Sequence, residues 1–208
     1  MKKQTSPKNS YETIALPTLK YKSDKSVEEA LLKRRSVREF TEEPLTLNQV
    51  SQLLWAAQGI TDPSGKRTAP SAGALYPLEV YVAAGNVSDL SAGVYKYSPE
   101  QHELLKILDG DIRKQLSSAS LGQTPVKDGA ISIIIAPVYV RTTFKYGDRG
   151  IRYVHMEIGH AAQNLCLEAE SLGLGAVTIG AFEDAKVKKL LNLPNDEDPL
   201  YIIPVGKK

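Results

Sequence analysis

A single cysteine, Cys166, occurs in 208 residues. One thiol excludes an intrachain disulfide and a cysteine-cluster metal site. An excess of one charge is also missing: 26 Lys and Arg face 24 Asp and Glu, a net charge of +2 with the signs interspersed. That excludes the basic stripe of a nucleic-acid surface. No apolar run approaches the roughly 20 residues that cross a bilayer. Met1 to Asn9 is polar and lysine-rich, without the apolar stretch of a secretory signal. These absences predict a cytoplasmic protein with neither nucleic acid nor membrane among its partners. What is present is a core. Hydrophobic residues make up 42% of the chain and charged residues 24%, enough for one domain to fold without covalent help.

Residues 1–24, rich in Lys, Ser, Thr and Pro, read as a partly extended arm, and residues 25–208 as a single domain. Ser26-Val27-Glu28-Glu29 is a capping box that opens a helix running to about Arg34. Thr46 and Gln49 form a second box, stapled by Leu45 and Val50, for a helix that stops at Gly59. Thr61 to Tyr76 is a loop long enough to suggest a task. Leu78 to Ala84 reads as a strand, and Gly93–Tyr97 with Glu103–Leu108 as a hairpin. Asp109 is expected to cap a short helix through Leu116. Ala130 to Val140 contains Ile131–Ile135, the pattern of a buried central strand. Ile151, Val154, Ile158, Ala161, Leu165, Ala169 and Leu172 step by three and four, a helix about 33 Å long that Gly173 closes. Gly159, Ala161 and Ala162 thin its middle, which lets another helix approach. Ala176–Ala181 and Leu200–Val205 read as strands around a short helix, Asp184–Leu191. Helices first, then strands and helices interleaved, predict an α+β domain with one sheet.

Four segments invite chemistry. Arg34-Arg35-Ser36-Val37-Arg38 offers three guanidinium forks and a hydroxyl, a match for phosphate. A solvated basic helix end is the competing reading. Pro70-Ser71-Ala72-Gly73-Ala74-Leu75-Tyr76-Pro77 sets small residues between prolines, leaving backbone open to a flat ligand; an ordinary surface loop competes. Gly173 to Phe182 is not a dinucleotide fingerprint, because its glycines end a helix and enter a strand. His155 and His160 are five residues apart and do not share a helix face, so no metal site is read there; His160 is expected to be a hydrogen-bonded helix-packing residue. Lys145-Tyr146 is read as lying in a loop before the long helix, either solvated or a general acid/base pair.

The order of these segments carries a resemblance. Arg34 to Phe40, Pro70 to Gly73, Gly175 to Phe182 and Tyr201 to Gly206 resemble the nitroreductase family, over a span from about Val27 to Gly206. Lys145-Tyr146, Arg149 to Tyr153 and Glu157 to Leu165 are similar to its SagB/ThcOx-type branch, which includes azoline dehydrogenases of peptide maturation. The resemblance implies a nitroreductase-like α+β fold, a mixed or antiparallel sheet flanked by helices, in an intertwined homodimer with FMN at the interface. It implies that Arg34, Ser36 and Arg38, with Arg35 in the same cluster, hold the phosphate and ribitol. Pro70, Ser71, Ala72 and Gly73 would lie along the isoalloxazine, contributed by the other subunit. Ile179, Gly180 and Ala181 would bring a backbone N–H to flavin N5, where many relatives carry Glu-Gly. Lys207 and Lys208 stand where many relatives continue into a further basic phosphate ligand. The long helix would be the dimer helix, and Lys145 and Tyr146 would handle the substrate proton. The implied function is hydride transfer through N5 between a donor, NADH, NADPH or the substrate, and a small organic acceptor. An azoline dehydrogenase and a non-catalytic flavin-binding partner protein are the alternatives. Peptide-processing members tend to carry extra N-terminal sequence, where this chain has a short arm. A flavin-fragmenting enzyme is a further excursion of the fold.

Overall fold

The computed structural model describes residues 12–208. In chain order its elements are β1 (Thr13–Ala15), α1 (Val27–Lys33), β2 (Leu45–Thr46), α2 (Leu47–Gln58), β3 (Leu78–Ala84), β4 (Val87–Ser88), β5 (Gly93–Ser98), β6 (Glu103–Asp109), α3 (Arg113–Ala119), α4 (Thr124–Asp128), β7 (Ile131–Pro137), α5 (Val140–Tyr146), α6 (Arg149–Ser171), β8 (Leu174–Ala176), α7 (Asp184–Leu190) and β9 (Tyr201–Lys207). A single 3-10 turn, Ala72–Ala74, sits in the loop between α2 and β3.

Strand β7 has no polar face to give to water, and every one of its residues is buried. It lies inside a seven-stranded sheet of order β1-β6-β5-β3-β7-β9-β8, antiparallel at each junction. A separate parallel pair joins β2 to β4. The period-2 alternation of side chains sorts the core into two layers. Val80, Val82, Ile133, Ile135, Ile203 and Val205 face α2 and α6. Tyr81, Ala83, Ile134, Ala136 and Ile202 face α3, α4 and α7. Helices on both sides explain why β7 reads as continuously apolar although its neighbours are antiparallel.

Local signals place most boundaries. Thr46 and Gln49 form the complete capping box of α2, and Gly59 ends it. At α1 only half of the expected box forms. Ser26 accepts from the Glu29 N–H, but the Glu29 carboxylate turns to Lys33, 2.6 Å away. Helix α6 covers 23 residues, with Gly173 just beyond it at φ 72°. Its buried face carries Val154, Ile158, Ala161, Leu165 and Ala169 of the predicted stripe, whereas Ile151 is exposed and Leu172 is half-buried just past the helix.

Several expectations are corrected. The short helix after β6 begins at Arg113, and Asp111, not Asp109, accepts the Arg113 N–H; Asp109 is still paired in β6. Helix α4 had no periodic signal, being five residues long with Pro125 in its first turn. His160 is exposed, so it is not a packing residue within this chain. Of the arm, residues 1–11 lie outside the described residues, and Thr13–Ala15 add an edge strand to β6. Lys20 is tied to α2 through Gln52, which also donates to Glu168 of α6.

Candidate functional site

The loop of small residues is strained where it bends. Gly73, Ala74 and Tyr76 all have positive φ, at 64°, 54° and 45°. Such conformations cost on the order of 1 kcal/mol or more at a non-glycine residue and persist only where the surroundings enforce them. Tyr76 is the enforced residue. Its N–H donates to Ser71 Oγ at 2.9 Å, its phenol accepts from the Arg67 N–H at 3.2 Å, and its carbonyl accepts from Arg141 at 3.2 Å. The Arg67 guanidinium lies 4.8 Å from its ring centre, within range of a cation–π attraction.

Lys145 and Tyr146 close on this bend. They end helix α5 and do not form a loop, which corrects the sequence reading. Val140, Thr142 and Thr143 are weak helix formers, so no local signal marks α5. Packing on α6 makes the helix, and Gly147 at φ 55° stops it. Consecutive helical residues project about 100° apart, so both side chains reach one place, as an extended segment would not allow. A Cβ built at Gly73 would sit 2.8 Å from Tyr146 Oη and 3.0 Å from Lys145 Nζ. A side chain there would crowd both tips, in a backbone conformation that L residues rarely adopt. The Tyr146 ring is in turn set edge-on by Tyr153, with centres 5.2 Å apart.

Beneath the loop lies a carboxylic acid that was not singled out from sequence. Glu157 is 2% exposed on the inner face of α6, and its Oε1 has no hydrogen-bond partner among the described residues. Burial pushes its pKa from 4.5 up to about 7, against the opposing pull of the Ser71 hydroxyl and the Arg67 charge. Arg67 is already committed elsewhere, to Gln58 at 3.0 Å and Glu100 at 3.0 Å. A signal was available: Glu157 falls among Val154, Ile158 and Ala161, on the apolar stripe.

The arginine cluster forms a second group. Ser36 bridges to Ala176, and the Val37 N–H donates to the Ala176 carbonyl at 3.0 Å. Val37 and Phe40 fill the space over Gly175 and Gly206, where a Cβ would come within 2.6 Å and 2.8 Å of them. That contact explains why the family-like motifs at 34–40, 175–182 and 201–206 occur together. Among the described residues no carboxylate pairs with Arg34, Arg35 or Arg38. Arg35 donates to the Leu32 and Arg34 carbonyls at the end of α1. The charge of Arg34 reaches Cys166, whose thiol burial pushes up. Lys207 lies in β9, where its carbonyl accepts from Thr41, and the Lys208 ammonium is bound to Glu170.

Ile179 pairs with Ile202 beside β9. Gly180 and Ala181 follow, exposed, the second accepting from Gln123 at 2.8 Å. Within one chain, then, Gly73 meets Lys145 and Tyr146, while the segment that carries the arginines meets β8 and β9 through Ser36, Val37 and Phe40. No group of His, Cys, Asp or Glu among the described residues is arranged to hold a metal. His155 instead shares a hydrogen bond with Tyr139 at 2.8 Å. A polar cavity of about 360 Å³ opens where β3 and β5 diverge, lined by Gln58, Arg67, Glu79, Lys96, Glu100 and Arg141. Its charges compensate one another: Glu79 binds Lys96 and Arg141, and Lys96 also binds Glu197.

This architecture is that of the nitroreductase-like α+β proteins. A solved Anabaena variabilis protein named for nitroreductases matches it with a TM-score of 0.83 and 33% identity, over 95% of this chain and 42% of that one. The chain belongs to the nitroreductase family, whose model matches residues 31–207. A Methanocaldococcus jannaschii protein assigned by name to the nitroreductases is 51% identical over 182 residues, 88% of this chain and 91% of that protein. The microcin B17-processing protein McbC of Escherichia coli is 31% identical over 155 residues, 72% of this chain but 57% of McbC. More distant relatives, at 25–27% identity, are named NADPH-dependent oxidoreductase and FMN reductase (NADPH).

Glu157 makes stability depend on pH. Its pKa is higher folded than unfolded, so between about pH 4.5 and 7 the folded state holds a proton that the unfolded state has lost. Stability from this group is greatest below 4.5, falls as pH rises to about 7, and is level above. The fall amounts to about 3 kcal/mol. Urea unfolding at pH 4.5 and pH 8 should show Glu157→Gln gaining roughly that much on the wild type at the higher pH. A difference between the two proteins that is independent of pH would contradict this account.

Proposed function

We propose that this oxidoreductase uses FMN to pass hydride between a donor and a small organic acceptor, and works as a homodimer. The observation that carries the reading is the convergence of Lys145 Nζ and Tyr146 Oη on Gly73. A proton-handling pair stands against a bare, fixed loop of the kind a flat ring lies along. The residues fit the flavin. Arg34, Arg35 and Arg38 lack carboxylate partners among the described residues, as do Arg149 and Arg152, while Arg67, Arg113 and Arg141 are paired. Arg34 and Arg38, with Ser36 and the Arg35 guanidinium that also caps the end of α1, suit a phosphate and its ribityl chain. Ser71, Ala72 and Gly73 are small, Gly73 exposed and the other two half-buried. The N–H groups of Gly180 and Ala181 donate to no acceptor among the described residues, which suits the ring's N5. Lys207 is the more available C-terminal cation, since Lys208 is held by Glu170.

The homodimer is supported by surface chemistry. Val27, Leu31 and Leu32 on α1 are exposed, as are Val140 and Phe144 on α5 and Ile151 and Met156 on α6. Phe144 is 92% exposed, an uncommon position for a phenylalanine unless another surface covers it. At the outward face of α6, a Cβ on Gly159 would meet nothing within 4 Å. A second copy crossing there would cover these side chains and bring the loop of one copy to the arginines of the other.

In this reading FMN, when bound, supplies the two-electron chemistry, accepting hydride from the donor and delivering it to the acceptor. The chain's own residues do the rest. Arg34, Arg38 and Ser36 would anchor the phosphate end, Pro70–Gly73 would offer the ring a bare surface, and Lys145 and Tyr146 would hold or accept a proton at Nζ and Oη. The donor is NADH or NADPH, or the substrate itself. The last case is azoline dehydrogenation in peptide maturation, which the 31% identity to McbC favours. A flavin-binding partner without turnover is the remaining reading. Purified protein should be yellow, and its colour should bleach anaerobically with reduced nicotinamide. Colour that reduced nicotinamide does not bleach supports the partner-protein reading or the dehydrogenase reduced by its own substrate.

Three outcomes follow for single variants. Arg34→Ala should weaken FMN binding by about 1.5–3 kcal/mol, the worth of a hydrogen bond to a charged group; unchanged affinity by fluorescence titration removes Arg34 from the site. Gly159→Leu should shift light scattering toward monomer, since a large side chain overpacks a close helix contact; an FMN-loaded dimer in that variant misplaces the interface. Lys145→Ala and Tyr146→Phe should each slow the substrate half-reaction by roughly 10²-fold, with flavin content and nicotinamide oxidation nearly unchanged in stopped flow. Loss of neither half would return the pair to a solvated helix end.

A further inference from the structure

Glu157 has a role that the preceding reading leaves unused. Its side chain is shut between α6 and the bend, and the polar groups that face it all belong to the apparatus holding that bend. Ser71 Oγ already accepts from the Tyr76 N–H, so its single proton is free to point at the carboxyl. Arg67 carries the Tyr76 ring on its guanidinium and the Tyr76 phenol on its N–H. Its Nε is buried without a partner, as is Glu157 Oε1. A donor and an acceptor are thus both left incomplete around one strained segment. Buried polar atoms in that condition are rare in native proteins and call for an explanation.

We propose that Glu157 is a proton-holding positioning residue, coupling its own protonation to the conformation of Pro70–Gly73, the loop that faces the flavin, through Ser71 and Arg67. The flavin part rests on the function proposed above. As a neutral acid, Glu157 leaves Arg67 stacked on Tyr76 and the bend as it stands. As an anion shut away from water, it draws on the Ser71 hydroxyl and the Arg67 charge, the two groups that favour its ionised form, and the unpartnered Arg67 Nε–H is a donor free to turn to it. Drawing either one in moves a clamp of the bend. It also adds a negative charge beside the site of a ligand that is itself an anion. Raising the pH should therefore weaken FMN binding through this residue.

The other ionisable groups near it are few. Helix α2 has none. Arg67 and its partner Glu100 face the loop from one side, and Arg141 holds the Tyr76 carbonyl. Lys145 and Tyr146 of α5 face Gly73. On α6 itself Tyr153 and His160 flank Glu157 by about one turn. Any of these, and the FMN phosphate, can add a pH dependence of its own, so the comparison is between wild type and Glu157→Gln, which keeps the shape and removes the proton.

The first measurement needs no flavin. Amide proton and nitrogen resonances of Ser71 and Gly73 in the full chain should titrate near neutral pH in the wild type and stay flat in Glu157→Gln. In Ser71→Ala, which keeps the carboxyl and cuts its link, the Gly73 titration should shrink by half or more. The second is the FMN dissociation constant, which should rise several-fold more between pH 6 and pH 8 in wild type than in Glu157→Gln. Resonances that are flat in wild type, or titrate alike in Glu157→Gln, overturn the proposal whatever FMN does. A Gly73 titration undiminished in Ser71→Ala overturns the route through Ser71. Titrating resonances in a chain that binds no FMN at any pH support the coupling and sink the flavin reading instead.

Discussion

Everything functional in this chain hangs on how helix α6 is laid across the sheet. Its inner face, Val154, Ile158, Ala161, Leu165 and Ala169, is buried against β3, β7 and β9. Val154, Ile158 and Leu165 are each worth about 1.5–3 kcal/mol there, so the helix cannot shift without losing much of the domain's stability. Its neighbours then take their places from it. Helix α2 packs along its length, α1 lies across its far end, and α5 docks at its first turn. That last contact is close because Gly150 has no side chain: a Cβ there would lie 2.9 Å from the Thr143 Cα. A larger residue would push α5 away and carry Lys145 and Tyr146 off Gly73. The candidate acid/base pair is therefore positioned by a glycine that touches no ligand.

Charges are handled in two contrasting ways. On the α3, α4 and α7 side of the sheet, Glu79, Lys96, Glu197 and Arg141 satisfy one another, and the Tyr81 phenol donates to Glu197 at 2.7 Å. Burial and the Glu197 charge push the Tyr81 pKa up. Ions taken out of water in this way need partners, or the desolvation cost exceeds any gain. The candidate site differs. The arginines at 34–38, of which Arg35 and Arg38 are exposed, have no carboxylate among the described residues, and Glu157 breaks that rule, buried with an oxygen unsatisfied. The first leaves a set of donors open to an anion from outside. The second stores a proton close to neutral pH. Neither arrangement helps the isolated chain to fold, which is why both point to function.

The glycines make the same division. Gly175 and Gly206 exist to let Val37 and Phe40 close over the ends of β8 and β9, so they serve the fold at the arginine cluster. Gly73 leaves room for two titratable tips at a bend. Gly159 faces outward from α6 with nothing above it. A glycine with open space and ordinary helical geometry costs stability relative to alanine. Its presence is best understood as room kept for a surface that this single chain does not contain.

Read alone, the sequence determined the elements whose cause is local. Thr46 and Gln49 cap α2 because those side chains reach their own backbone. The run at 131–135 had to be covered on both faces, and the three- and four-residue spacing from Val154 to Ala169 had to form an amphipathic helix. The arginine cluster and the small-residue loop were legible for the same reason: their chemistry is written in adjacent residues. The tertiary structure decided what depends on partners distant along the chain. Helix α5 looks like a loop because Val140, Thr142 and Thr143 resist helix formation, and only docking on α6 overcomes them. Glu157 looks like one more helical glutamate until Arg67 and Ser71, some ninety residues earlier in the chain, are folded against it. A pKa near 7 is a property of that enclosure, set by the loss of water around the carboxyl, and no stretch of neighbouring residues could have announced it.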